Sequence, residues 1–148
     1  MKIFLQVILL TGSIALVAAV WGTDDPHSKT SIAFSQSRWQ ELLTLAKAEN
    51  KVIFVDIYAT WCGPCKLLKK TTFMNDEVGD FFNSHFINAA FDGEKPEGRL
   101  LVQQYGVHSY PTMLFINPDG TIRETAIGYH TSSQLLKRAT QVLKIDYP

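Results

Sequence analysis

The chain holds two cysteines, Cys62 and Cys65, three positions apart within the stretch DIYATWCGPCKLLKK that runs from Asp56 to Lys70. Two thiols at this spacing can close a small disulfide, supply half of a metal site, or exchange electrons with other disulfides. As a staple the pair is poor, because closing so short a loop removes little chain entropy. A structural zinc site needs two further ligands. No other cysteine exists, and His85, His108 and His130 show no paired spacing. Covalent haem attachment calls for a histidine directly after the second cysteine, where Lys66 stands. Dithiol–disulfide exchange is the chemistry that fits best, with no metal and no cofactor.

The surrounding residues set how that exchange would run. VIFVDIYA (52–59) is a continuous apolar, β-branched and aromatic run, as in a strand buried on both faces. KLLKKTTF then reads as a helix, which puts Cys62 at the helix start and Cys65 one turn inside. Unpaired N–H groups and the macrodipole favour negative charge there, so the Cys62 thiol is expected to ionise below the ~8.5 of a free cysteine. The thiolate is the attacking species, and Cys65 is near enough to resolve the mixed disulfide. Pro64 lacks an N–H, which is harmless in the first turn, and Gly63 lets the chain bend beside the sulfur. Asp56, inside the apolar run, is expected to be a buried acid with a raised pKa, suited to accept the Cys65 proton. Its alternative role is local structure, through water or a lysine.

The elements that position these groups follow from periodicity. IAF (32–34) reads as a short edge strand. Ser37, with Gln40 three residues on, matches a capping box ahead of an amphipathic helix. NDEVGDFFNSHF is a continuation of the CxxC helix or a second helix after a break. FINAAF (86–91) is a second strand, DGEKPEG a loop and RLLVQQY a short helix. TMLFIN (112–117) and TIRETAIG flank the turn NPDG, which joins antiparallel strands. Thr131 caps a last helix to about Leu143. A βαβ unit followed by a hairpin gives an α/β fold: a central mixed sheet of four to five strands, with helices on both faces.

Composition narrows the partners. The 148 residues are 46% hydrophobic, enough for a real core without crosslinks. Fourteen basic residues balance fourteen acidic ones, which gives no reason to expect nucleic acid or an anionic membrane surface. Residues 1–22 are a separate object, with one lysine and then an apolar run from Ile3 to Val20. They read as a signal peptide cleaved after Ala19 or Gly22, or as a membrane anchor formed by residues 3–20; Thr11, Gly12 and Ser13 interrupt the run and favour removal. Residues 23–31 form a flexible leader, and 32–148 the folded domain. Either reading of the first segment exports the thiols to a periplasmic or other extracytoplasmic compartment.

WCGPCK after a buried strand, with Asp56 six residues before Cys62, resembles the thioredoxin family, and the resemblance runs from about residue 37 to 144. It implies the thioredoxin-like fold. It aligns Asp56 with the family's buried carboxylate and Trp61 with its tryptophan before the first cysteine. SYPT (109–112) lies where the family carries a cis-proline loop, so Pro111 is the candidate, with the Tyr110 backbone available to an extended substrate. Trp61 and Tyr110 are contact surface for partners or rim packing, and with Gly63, Pro64 and Pro111 they make up the candidate substrate-binding set. His108 reads as a surface residue. Three features depart from cytosolic members: Asn88 stands where a lysine often neighbours the buried acid, Tyr58 replaces a tryptophan, and DGEKPEG is long. With KKTTFMNDEV, these are similar to exported members, among them the soluble terminal domain of transmembrane thiol-reductant proteins of bacterial envelopes. The resemblance implies a monomeric thiol–disulfide oxidoreductase acting on protein disulfides. The Gly-Pro pair resembles reducing members, so a reductase fed by a thiol electron donor is expected. The alternative is a non-catalytic peptide-docking module on the same fold.

Overall fold

A computed structural model describes residues 30–145. The export segment 1–22, and the leader apart from its last two residues, lie outside the described residues. Strand β1 (Ile53–Tyr58) is central. Strand β2 (Ile87–Asp92) runs parallel to it on one side, and β3 (Thr112–Ile116) antiparallel on the other. Strand β4 (Ile122–Ile127) pairs antiparallel with β3, giving the order β2-β1-β3-β4. The described residues also form five helices: α1 (Trp39–Glu49), α2 (Gly63–Lys70), α3 (Asp76–His85), α4 (Pro96–Tyr105) and α5 (Ser132–Leu143).

The continuous apolar run of β1 serves two cores, one per face. Phe54, Met113, Phe115 and Ala126 meet Leu68 of α2, Val78 and Phe82 of α3, and Leu135, Leu136 and Ala139 of α5. Val55, Ile57, Ala89 and Leu114 meet Trp39, Leu42 and Ala46 of α1 and Leu101 of α4. Alternation along each strand directs successive side chains to opposite faces, so a strand covered on both sides must be apolar at every position. Asp56 is the one charged side chain of β1. Phenylalanines fill the first core, where Phe54 meets Phe82 at 4.6 Å between ring centroids and Phe115 at 5.2 Å, while Trp39 stands edge-on to Phe91 and Tyr105 in the second.

Three details depart from the sequence reading. Residues 32–34 form no strand; their neighbour Ser35 makes a single parallel bridge to Ala89, so among the described residues the sheet has four strands. The reason is competition from outside the sheet. Ile32 N–H goes to the Phe73 carbonyl at 2.9 Å, and Ala33 N–H to Asn83 Oδ1 of α3 at 2.8 Å. Second, α1 starts at Trp39, not after Ser37: its N-cap is Arg38, whose N–H goes to Glu41. The Trp39 N–H is taken at 2.6 Å by Glu97, 58 residues away on α4, a partner that no local pattern could reveal. Third, α4 begins at Pro96, earlier than RLLVQQY suggests, because proline suits the first helical position. α2 and α3 are separate helices, with Asn75 capping α3 through Val78 N–H at 3.1 Å. Thr131 caps α5 as expected and forms a capping box with Gln134.

Candidate redox site

Strand β1 ends at Tyr58, four residues before Cys62, and α2 begins at Gly63. Cys62 is therefore the N-cap of α2, with extended backbone angles, and its Sγ accepts the Cys65 N–H at 3.2 Å. Pro64 sits in the first turn, where its missing N–H leaves no bond unmade. Cys62 and Cys65 are joined by a disulfide with 5.3 Å between their Cα atoms. When such a disulfide is attacked by an external thiolate, the sulfur released at the helix N-terminus is stabilised by the same amide groups that cap the helix.

Both cysteines are covered in the oxidised pair. Cys62 is 3% exposed and Cys65 6%. In this oxidised state the Cys62 sulfur is turned back over the first helical turn, and Tyr58, Ala59 and Tyr110 pack around both cysteines. The surface above them is formed by exposed Gly63 and Pro64 and by Trp61, which is 66% exposed. The Trp61 ring stands edge-on to Tyr110, 6.2 Å between centroids, and its Nε1 donates to Glu94 Oε1 at 2.9 Å.

The Tyr110–Pro111 peptide bond is cis. Pro111 is buried, and its carbonyl accepts the Gly128 N–H at 2.8 Å, which ties the loop to the end of β4. Gly93, just past β2, has no side chain because a Cβ there would run into the Tyr110 ring. Trp61, Cys62, Cys65 and Tyr110 are thus one contiguous cluster, with Pro111 attached through the cis bond. His108 is exposed, His85 bonds the Phe81 carbonyl and His130 lies between the Gly128 carbonyl and Arg138. Among the described residues no three His, Cys, Asp or Glu side chains are grouped to hold a metal ion.

Asp56 lies beneath. It is buried, and its Oδ1 has no hydrogen-bond partner among the described residues. Desolvation raises its pKa from the ordinary 3.8 to about 7, and the positive charge of Lys69 works in the opposite direction. A cavity of about 510 Å³ connects Asp56, Tyr58, Cys65, Lys66 and Lys69. A carboxyl in this state can hold or release a proton near neutrality, next to the sulfur that must lose one. Asn88 faces Phe54 in the ladder, two residues along the strand from the partner of Asp56, and its amide N–H donates to Asn83 Oδ1. Sequence reasoning missed Lys69. The available signal was its spacing, four residues after Cys65 on the helix that carries the thiol.

The thioredoxin-like domain model matches residues 39–143. The thiol:disulfide interchange protein DsbD of Pseudomonas fluorescens is 28% identical over 151 residues, which covers 88% of this chain and 26% of that protein. The protein of the same name from Yersinia pestis is 31% identical over 96 residues, 63% of this chain and 16% of the relative. The chain thus spans about a quarter or less of the length of these curated relatives. Among solved structures, a Bacteroides thetaiotaomicron protein provisionally assigned as a disulphide-isomerase superposes with a TM-score of 0.69 at 42% identity, covering 80% of this chain and 98% of that one. The C-terminal domain of Neisseria meningitidis DsbD in its oxidised form gives a TM-score of 0.59 at 24% identity over 69% of this chain and 90% of that one, a likeness of fold.

Proposed function

This chain belongs to the thioredoxin-like family, and on that premise we propose that it is an extracytoplasmic thiol–disulfide oxidoreductase that reduces disulfides in proteins. The observation that carries the reading is the Cys62–Cys65 disulfide at the first turn of α2, beneath the aromatic pair Trp61 and Tyr110.

The cycle uses the reduced pair. The Cys62 thiolate attacks one sulfur of a substrate disulfide; the Cys62–substrate bond forms, the substrate disulfide breaks, and the first substrate sulfur leaves as a thiolate that takes a proton from water. The Cys65 thiol then gives its proton to Asp56 and attacks Cys62 Sγ. The Cys62–Cys65 bond forms, the mixed disulfide breaks, and the second substrate sulfur departs. The substrate has gained two electrons and the enzyme has lost two. A dithiol donor restores the enzyme by the reverse exchange. Gly63, Pro64, Trp61, Tyr110 and Pro111 form the surface over which an extended substrate segment would lie, with the Tyr110 backbone as its pairing edge.

Export is supported by the sequence of residues 1–22, as a cleaved signal or an anchor, with 23–31 as leader and 32–148 as a monomeric catalytic domain. Similarity to proteins named for thiol:disulfide interchange supports the reaction class. The Gly63-Pro64 pair supports the reducing direction by its resemblance to reducing members. The test is insulin disulfide reduction with dithiothreitol as donor. The wild-type chain is expected to accelerate reduction well above the donor alone, and Cys62→Ser to abolish the acceleration. A wild-type rate equal to the donor alone, or full activity in Cys62→Ser, overturns the assignment.

A further inference from the structure

The sheet leaves Asp56 without a charged neighbour. Its ladder partners are Ala90 on β2 and Met113 on β3, and Asn88 commits its amide to Asn83. Resting on the oxidoreductase reading, we propose that Lys69 of α2 is the positioning counter-ion of Asp56, facing it across the cavity behind Cys65 and holding the carboxylate ready for the Cys65 proton. Residues four apart on a helix lie one above the other, so Lys69 follows Cys65 on one α2 face. Asp56, Cys65 and Lys69 line the same cavity of about 510 Å³.

The groups facing Asp56 can be enumerated by element. Strand β1 contributes Tyr58, α2 contributes Cys65, Lys66 and Lys69, and the facing ladder positions of β2 and β3 contribute nothing that titrates. Of the two lysines, Lys69 is the one whose charge offsets the burial of the carboxyl. No ion pair joins the two side chains among the described residues: Lys69 is exposed and keeps its ammonium hydrated, while its field reaches the buried carboxylate through the cavity. This arrangement raises the fraction of ionised Asp56 at a given pH, and only the ionised form can take the Cys65 proton. Lys69 therefore sets the pH above which the release step is fast.

The experiment uses the reduced full chain with 13C-labelled aspartate, following the Asp56 carboxyl by NMR against pH in wild type, Lys69→Gln, Lys69→Arg and Lys66→Gln. Lys69→Gln is expected to move the Asp56 midpoint upward by about 0.5 pH unit or more. Lys69→Arg is expected to restore it, and Lys66→Gln to leave it in place. In single-turnover release of a peptide held on Cys62 as a mixed disulfide, the pH profile should shift in the same direction. An Asp56 midpoint unmoved in Lys69→Gln, or moved as far by Lys66→Gln, overturns the proposal. So does a carboxyl that moves while the release profile does not. The carboxyl titration needs no turnover, so failure of the oxidoreductase reading, seen as an inert wild type with insulin, is distinguishable from failure of the counter-ion role.

Discussion

Asp56 faces Ala90 across the parallel β1–β2 ladder, so the acid beneath the disulfide meets a methyl group where a cation would neutralise it. Its carboxyl is pushed to about 7 by burial, against an ordinary 3.8. The folded state therefore holds a proton that the unfolded chain has already released between those two pH values. Where the native state binds more protons, stability falls as pH rises. The contribution of Asp56 is thus undiminished below about pH 4, declines through the window, and is fully lost above about pH 7, by on the order of 4 kcal/mol.

Asp56→Asn should remove that decline. At pH 8 the variant is expected to be more stable than wild type by about 1–3 kcal/mol, the gain being reduced by the unpaired amide left in the core. At pH 4 the difference should vanish or reverse. Urea unfolding at the two pH values checks this; a variant destabilised equally at both would show that the buried carboxylate is not the source of strain.

Cys65→Ser should accumulate covalent complexes through Cys62 when mixed with disulfide-containing proteins, because the second sulfur is no longer present to displace the substrate. Non-reducing electrophoresis should show adducts that dithiothreitol dissolves and that Cys62→Ser prevents. Complexes insensitive to reductant would favour peptide docking without exchange.

Gly93→Ala tests the placement of the rim. A Cβ at Gly93 meets the Tyr110 ring, which is half-buried, so that the ring must shift to admit it. The fold should survive, with a stability loss of about 1–3 kcal/mol. The Tyr110 ring should leave Trp61, and the KM for a peptide disulfide should rise more than kcat falls. An unchanged KM would mean that the Trp61–Tyr110 pair is packing and not contact surface.

Much of this was legible along the chain. The apolar run 52–59 announces a strand buried on both faces, and Phe54 and Val55 do point into separate cores. Cys62 as N-cap follows from strand, turn and helix signals alone. What stayed hidden depends on distant partners. Arg38, and not Ser37, opens α1 because Glu97 of another helix reaches the Trp39 amide. Residues 32–34 miss the sheet because Asn83 of α3 and the Phe73 carbonyl take their backbone groups. The spacing of Lys69 puts it on the Cys65 face of α2, but what it does there comes from a cavity shared with β1, which spacing does not show. The low exposure of Cys62 reflects the packing of Tyr58, Ala59 and Tyr110 around the oxidised pair, which spacing cannot convey.

The most direct measurement is the rate of iodoacetamide alkylation of Cys62 against pH in the fully reduced protein. A nucleophile capped onto α2 should react first and alone, with a midpoint clearly below the ~8.5 of an ordinary thiol and appreciable reaction at pH 7. A Cys62 that stays unmodified until strongly alkaline pH, or that reacts only on unfolding, would contradict the account.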